Sequence, residues 1–136
     1  MPTKKDAYLI IAHGTRDPEG RRAFGEFLGK FRAAYPHRHI QGAFLSMGEP
    51  TVPQAVERCV QEGARQIFVI PLLFFSGRHA KEDIPRRIQE AKSTYPEIDF
   101  HYASPLAENP KLFSLLEEKM KTLTQGKMKG KCTNAV

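Results

Sequence analysis

The sequence predicts an α/β fold, a four-stranded parallel sheet with helices on both faces. Three observations predict it. Short apolar runs alternate with segments whose apolar residues recur every three to four positions, the pattern of repeated strand–helix units. The first and third runs are apolar almost throughout, as strands buried on both faces must be. Proline, glycine or a capping side chain falls at the junctions between segments.

Ala7-Tyr8-Leu9-Ile10-Ile11-Ala12 reads as the first strand, ending at His13-Gly14. Asp17-Pro18-Glu19 supplies an N-cap with proline in the first turn of a helix whose apolar stripe is Phe24, Phe27, Leu28, Phe31 and Ala34. Tyr35-Pro36 stops it. A second strand over about 39–45 runs into Gly48-Glu49-Pro50, and Thr51 can cap a second helix that buries Val52, Ala55, Val56, Cys59 and Val60 and ends at Gly63. Residues 66–75 are the most apolar segment and the expected central strand, with Pro71 marking the expected end of ladder pairing. The loop Ser76-Gly77-Arg78-His79 leads to a third helix with Ile84, Ile88, Ala91 and Tyr95 in register. A fourth strand covers 98–103, and a last helix over about 110–123 places Leu112, Leu115, Leu116, Met120 and Leu123 on one face.

At 136 residues the chain is expected to hold one domain, 1–124, followed by a basic and disordered tail, 125–136. No apolar run approaches the roughly 20 residues of a membrane span. No signal-peptide pattern follows Met1, and the expected compartment is cytoplasmic. Two cysteines, Cys59 at an apolar helical position and Cys132 in the tail, build no disulfide framework. The formal charge of +6 and the pI near 9.5 favour an anionic partner. Several of the lysines crowd the tail and no Lys/Arg stripe interleaves with aromatics, so nucleic acid is not the expected partner and an acidic small molecule is compatible.

Right-handed crossovers in a sheet of this kind put ligands beyond the carboxyl ends of the strands, where the strand order reverses. With the order 2-1-3-4, that point lies between strands one and three. His13 and His79 follow those two strands and converge there. Neutral imidazole is the commonest side-chain metal ligand, so the pair is a candidate metal site; two solvated surface histidines remain the alternative. His37, His39 and His101 sit near strand starts, at the opposite end, and are expected to be solvated.

Leu9-Ile10-Ile11-Ala12-His13-Gly14-Thr15-Arg16-Asp17 resembles the opening strand and loop of the sirohydrochlorin chelatase family. Pro71-Leu72-Leu73-Phe74-Phe75-Ser76-Gly77-Arg78-His79-Ala80-Lys81-Glu82-Asp83-Ile84-Pro85 resembles its second signature, and order and spacing match from Ala7 to about Leu116. The resemblance implies a class II chelatase, one half-domain of the longer forms, in which His13 and His79 hold an incoming Co2+, Fe2+ or Ni2+ ion above an acidic tetrapyrrole. It implies no permanently bound cofactor, the metal being a substrate, and a homodimer with a shared cleft, one apolar side of which Phe74, Phe75 and Met47 can supply. Where the family often has a carboxylate as a third ligand, this chain has Ser46; Glu49, three residues on, is a candidate base or outer ligand, or alternatively a helix-start carboxylate. Arg16, Ser76, Gly77 and Arg78 are candidates for binding the carboxylates of the macrocycle, whereas Lys81 and Arg86 are expected on a solvated helix face. Two readings compete. A histidine-phosphatase site would want arginine before the histidine, where Ala12 stands, and a non-catalytic carrier of metal or tetrapyrrole would share the fold.

Overall fold

The computed structural model describes residues 6–74 and 77–126, with the side chains of His79 and Ala80 outside that description. The expected tail therefore lies outside the described residues from position 127 onward, as do Phe75 and Ser76. The element order is β1 (Asp6–Ala12), α1 (Pro18–Ala34), β2 (His39–Phe44), α2 (Val52–Gln61), β3 (Gln66–Leu72), α3 (Arg78–Thr94), β4 (Asp99–Tyr102), a 3-10 turn η1 (Leu106–Glu108) and α4 (Pro110–Thr124). All pairings are parallel, as the sequence predicts, and the sheet order is β2-β1-β3-β4, the order on which the convergence of His13 and His79 depends.

Right-handed crossovers fix which helix lies on which face. The step from β1 to β2 runs one way across the sheet and puts α1 on one face, where Leu28 packs on Ile10 and Ile40. The steps from β2 to β3 and from β3 to β4 run the other way, so α2 and α3 share the opposite face. There Leu9, Ile11, Ala43, Val56, Cys59, Ile67, Val69, Ile84 and Ile98 form the main core. A Cβ on Gly42 would lie 2.3 Å from Leu28 Cδ1, so its absence is what lets α1 sit directly on β2. Caps work as read: Asp17 accepts from the Glu19 N–H at 3.0 Å, and Thr51 forms a reciprocal capping box with Gln54.

Three expectations need correction. Pairing does not stop at Pro71 but continues to Leu72, with Pro71 opposite Ile11. The carbonyls of Val69 and Leu73 both accept from the 103–106 segment, so Pro71, midway between them, turns its missing N–H to the side that β4 has already left. His39 and His101 are not simply solvated: His39 pairs with Glu62, and His101 stacks on Phe68 at 5.1 Å between ring centroids. Finally, α4 forms where expected but buries none of its side chains.

Cys59 is fully buried in the main core, and burial first, then the Glu62 charge, pushes its thiol from 9.0 up to about 12. The thiol stays protonated in the folded chain and ionises in the unfolded one from about pH 8.5 upward. Its contribution is therefore complete below that pH and is lost as pH rises toward the folded value, at about 1.4 kcal/mol per unit. Urea unfolding should show wild-type stability falling more steeply than that of Cys59→Ala between pH 9 and 10.5; parallel profiles would contradict a buried neutral thiol.

Candidate metal and macrocycle site

β1 is the inner strand from which the chain departs toward β2, while β3 departs toward β4, so the crevice opens between the carboxyl ends of β1 and β3. His13 is the first residue past β1 and its side chain is exposed. The backbone beneath it is tightly fixed. Pairing of the β1 and β2 segments runs on past the strands: Leu45 N–H donates to Ala12 O at 2.8 Å, Ser46 N–H to His13 O at 3.0 Å, and Thr15 N–H to Met47 O at 3.1 Å. The Ser46 hydroxyl adds a bond to the same His13 carbonyl at 3.3 Å. Gly14 makes this approach possible. Its φ is +117°, and a Cβ built on it would lie 1.6 Å from the Ser46 carbonyl oxygen.

His79 is placed in the first turn of α3, one residue after Arg78, rather than in a loop before the helix. Gly77 is the N-cap and supplies no side-chain cap bond. Pro85 lies inside α3 and withholds the N–H that would bond the Lys81 carbonyl, which sets the first turn apart from the rest of the helix. The Arg78 side chain is exposed and pairs loosely with Glu82 at 3.6 Å, an arrangement an anion can displace at little cost. Arg16 is exposed, with its carbonyl accepting from Arg21 Nη2 at 3.5 Å. Ser76 lies outside the described residues.

Glu49 is exposed and lines two clefts at the β2 edge together with Pro50 and Arg58, neither of which contains His13. Ser46, standing where a carboxylate was looked for, anchors the His13 backbone instead. Arg86 pairs with Asp83 at 2.8 Å. Among the described residues no group of three or more His, Cys, Asp or Glu side chains is close enough to hold a metal ion.

Sequence reasoning passed over one neighbouring feature. Lys81, Ile84 and Pro85 of α3 face Pro71, Leu73, Tyr102, Ser104 and Pro105 across a mainly apolar cleft of about 280 Å³. The available signal was Tyr102-Ala103-Ser104 at the carboxyl end of a strand, the end where ligands bind. Met47 and Phe74 are exposed near the same ends of β2 and β3, as the sequence led us to expect.

Residues 7–123 match the CbiX family model. The chain is 31% identical over 115 residues to a sirohydrochlorin ferrochelatase of Priestia megaterium, covering 85% of this chain and 43% of that protein. It is 31% identical over 121 residues to a sirohydrochlorin cobaltochelatase of Saccharolobus islandicus, covering 82% of this chain and 91% of that one. Among solved structures it resembles the sirohydrochlorin chelatase SirB of Bacillus subtilis subspecies spizizenii in complex with cobalt, at a TM-score of 0.78 and 34% identity, covering 86% of this chain and 50% of that chain. The chain spans about half the length of the first bacterial relatives it matches.

Gly14→Ala should separate the two loops, breaking the bonds to Ser46 and Met47, and cost about 3 kcal/mol of stability. Gly29→Ala, with nothing within 4 Å of the added methyl on α1, should stabilise by up to about 1 kcal/mol. Thermal unfolding of the two variants checks both, and equal melting temperatures would contradict the packing at Gly14.

Proposed function

This chain belongs to the CbiX family, and from that premise we propose that it is a chelatase, a lyase-class enzyme inserting Co2+, Fe2+ or Ni2+ into sirohydrochlorin or a related acidic tetrapyrrole. The observation that carries the reading is the exposed His13 on an immobilised backbone, at the same end of the sheet as the α3 turn bearing His79. The metal is substrate rather than resident cofactor. Two imidazoles leave positions for water and then for pyrrole nitrogens, whereas a closed four-ligand cage would trap the ion. Insertion exchanges both pyrrole protons for the cation. Each imidazole, once released from the metal, can accept one of the two protons and pass it to water. Arg16 and Arg78 fork the rim carboxylates and hold the ring over the ion, which supplies the proximity contribution to rate.

A homodimer with a shared cleft belongs to the same reading. The crevice offers one wall to a broad, flat macrocycle, and a two-fold copy supplies the second. Exposed Met47 and Phe74 give that cleft an apolar side. No helix of the described residues is long and apolar enough to cross a membrane, which accords with a cytoplasmic site of action. The carrier reading keeps one supporting observation, Ser46 in place of a carboxylate ligand.

Absorbance of sirohydrochlorin with Co2+ separates the two, since a carrier binds without metal-dependent conversion. His13→Ala and His79→Ala should each lower insertion at least 100-fold, and His13→Ala should change stability by less than about 0.5 kcal/mol because that side chain is exposed. A double variant converting at wild-type rate would contradict metal delivery by these residues. Replacing Arg16 and Arg78 by Gln should raise KM and flatten its dependence on ionic strength; an unchanged salt dependence would remove them from substrate steering.

A further inference from the structure

The apolar stripe of α3 stops one turn short of the strand ends. Ile84 is buried in the main core, and Ile88, Ala91 and Tyr95 pack against that core from the following turns. The stripe position one turn before Ile84 is Lys81. Pro71 and Leu73 at the end of β3, and Tyr102 and Ser104 at the end of β4, line the space beneath it. Strand alternation puts these side chains on the α3 face, Tyr102 following Phe100 of the main core. An apolar residue at 81 would carry the core over them. Lysine leaves open the cleft of about 280 Å³ instead.

The walls of this cleft are fixed and poor in backbone donors. Ala103 N–H donates to Val69 O at 2.9 Å, Leu106 N–H to Leu73 O at 3.2 Å and Ala107 N–H to Phe74 O at 2.8 Å, which ties the segment after β4 to the end of β3. Pro71, Pro85 and Pro105 line the cleft and have no N–H to offer. Its polar side chains are Lys81, Tyr102, Ser104 and Glu108. Among the described residues neither Lys81 nor Glu108 takes part in an ion pair.

We propose that the cleft takes one carboxylate arm of the macrocycle, its methylene carbons against Pro71, Leu73 and Tyr102 and its carboxylate on the Lys81 ammonium and the Ser104 hydroxyl. The proposal rests on the chelatase reading above and adds a substrate contact to it. Size supports an arm rather than a separate ligand, since pockets that enclose a whole small molecule run upward from about 300 Å³. Position agrees. Lys81 follows His79 by two residues on α3, a Cα separation of about 5.4 Å, and β4 lies about 4.8 Å beyond β3. The acid arms leave the rim of the ring, several ångströms from the metal at its centre. Chemistry agrees as well: a carboxylate enters apolar surroundings only with a cation beside it, and the lysine stem can lie along the apolar wall while its ammonium meets the acid. Glu108, which lines the cleft from η1, repels a carboxylate and drives it toward α3. An arm held there fixes the rotation of the ring about the metal and selects acid arms over uncharged ones.

The test titrates the metal-free full chain against sirohydrochlorin and follows the fluorescence of the macrocycle, which reads binding without turnover. Lys81→Met should weaken binding about tenfold, and Lys81→Arg, which keeps the charge, should stay within about twofold of wild type. Glu108→Gln should tighten binding about twofold, a change of opposite sign that loss of packing would not produce. Both side chains are exposed, so thermal unfolding of Lys81→Met and Glu108→Gln should match wild type, and Co2+ binding in the absence of macrocycle should be unchanged. Wild-type affinity in Lys81→Met, or equal losses in Lys81→Met and Lys81→Arg, would overturn the arm site while leaving the chelatase reading standing. A wild-type chain that binds no sirohydrochlorin would overturn both.

Discussion

The structure depends on how closely the chain after β1 approaches the chain after β2. Gly14 lies under the Ser46 carbonyl with no room for a side chain, and three backbone hydrogen bonds of 2.8 to 3.1 Å carry the β1–β2 pairing beyond the strands themselves. β1 is an inner strand, with Leu9 and Ile11 in one core and Ile10 in the other. The fixed backbone at its end is therefore an extension of the most buried part of the molecule. His13 inherits that rigidity in its main chain while its side chain stays in solvent. A group that must take up an ion and release it needs both properties: a defined position and an imidazole not already engaged.

The division of labour across the sheet follows from the same geometry. Stability resides on the α2–α3 face, where nearly all the fully buried side chains lie and where Cys59 is an inert core residue. The carboxyl-end edge carries exposed groups: His13, Arg16, Met47, Phe74 and Arg78. Buried ionic networks would make such an edge rigid but hard to desolvate; exposed, loosely paired cations such as Arg78 can meet an anionic rim without first breaking a strong contact.

Much of this was legible in the sequence because it depends on local pattern. The parallel sheet follows from the strand–helix alternation, although the strand order entered only as a condition, and the Asp17-Pro18 and Thr51 caps were visible as residue types at element starts. His13 was found because it ends an apolar run beside glycine, though the reason Gly14 must be glycine, the Ser46 carbonyl 1.6 Å from its missing Cβ, lies 32 residues away in sequence. Pairings of that kind were not legible. His39 with Glu62 and His101 on Phe68 are set by tertiary neighbours, and so is the side toward which Pro71 turns its absent N–H. The α4 stripe shows the limit most clearly. Periodicity identifies an apolar face but does not say what covers it, and among the described residues α4 buries none of its side chains.

The central claim is that His13 and His79 together hold the metal ion at the crevice between β1 and β3. Anomalous diffraction at the cobalt edge, from crystals of the full chain soaked in Co2+, tests it most directly. The account predicts a peak within about 2.2 Å of an imidazole nitrogen of each histidine, with the remaining positions filled by solvent. A cobalt ion held instead at the amino end of the sheet, beside His39 and Glu62, with the crevice empty, would contradict it.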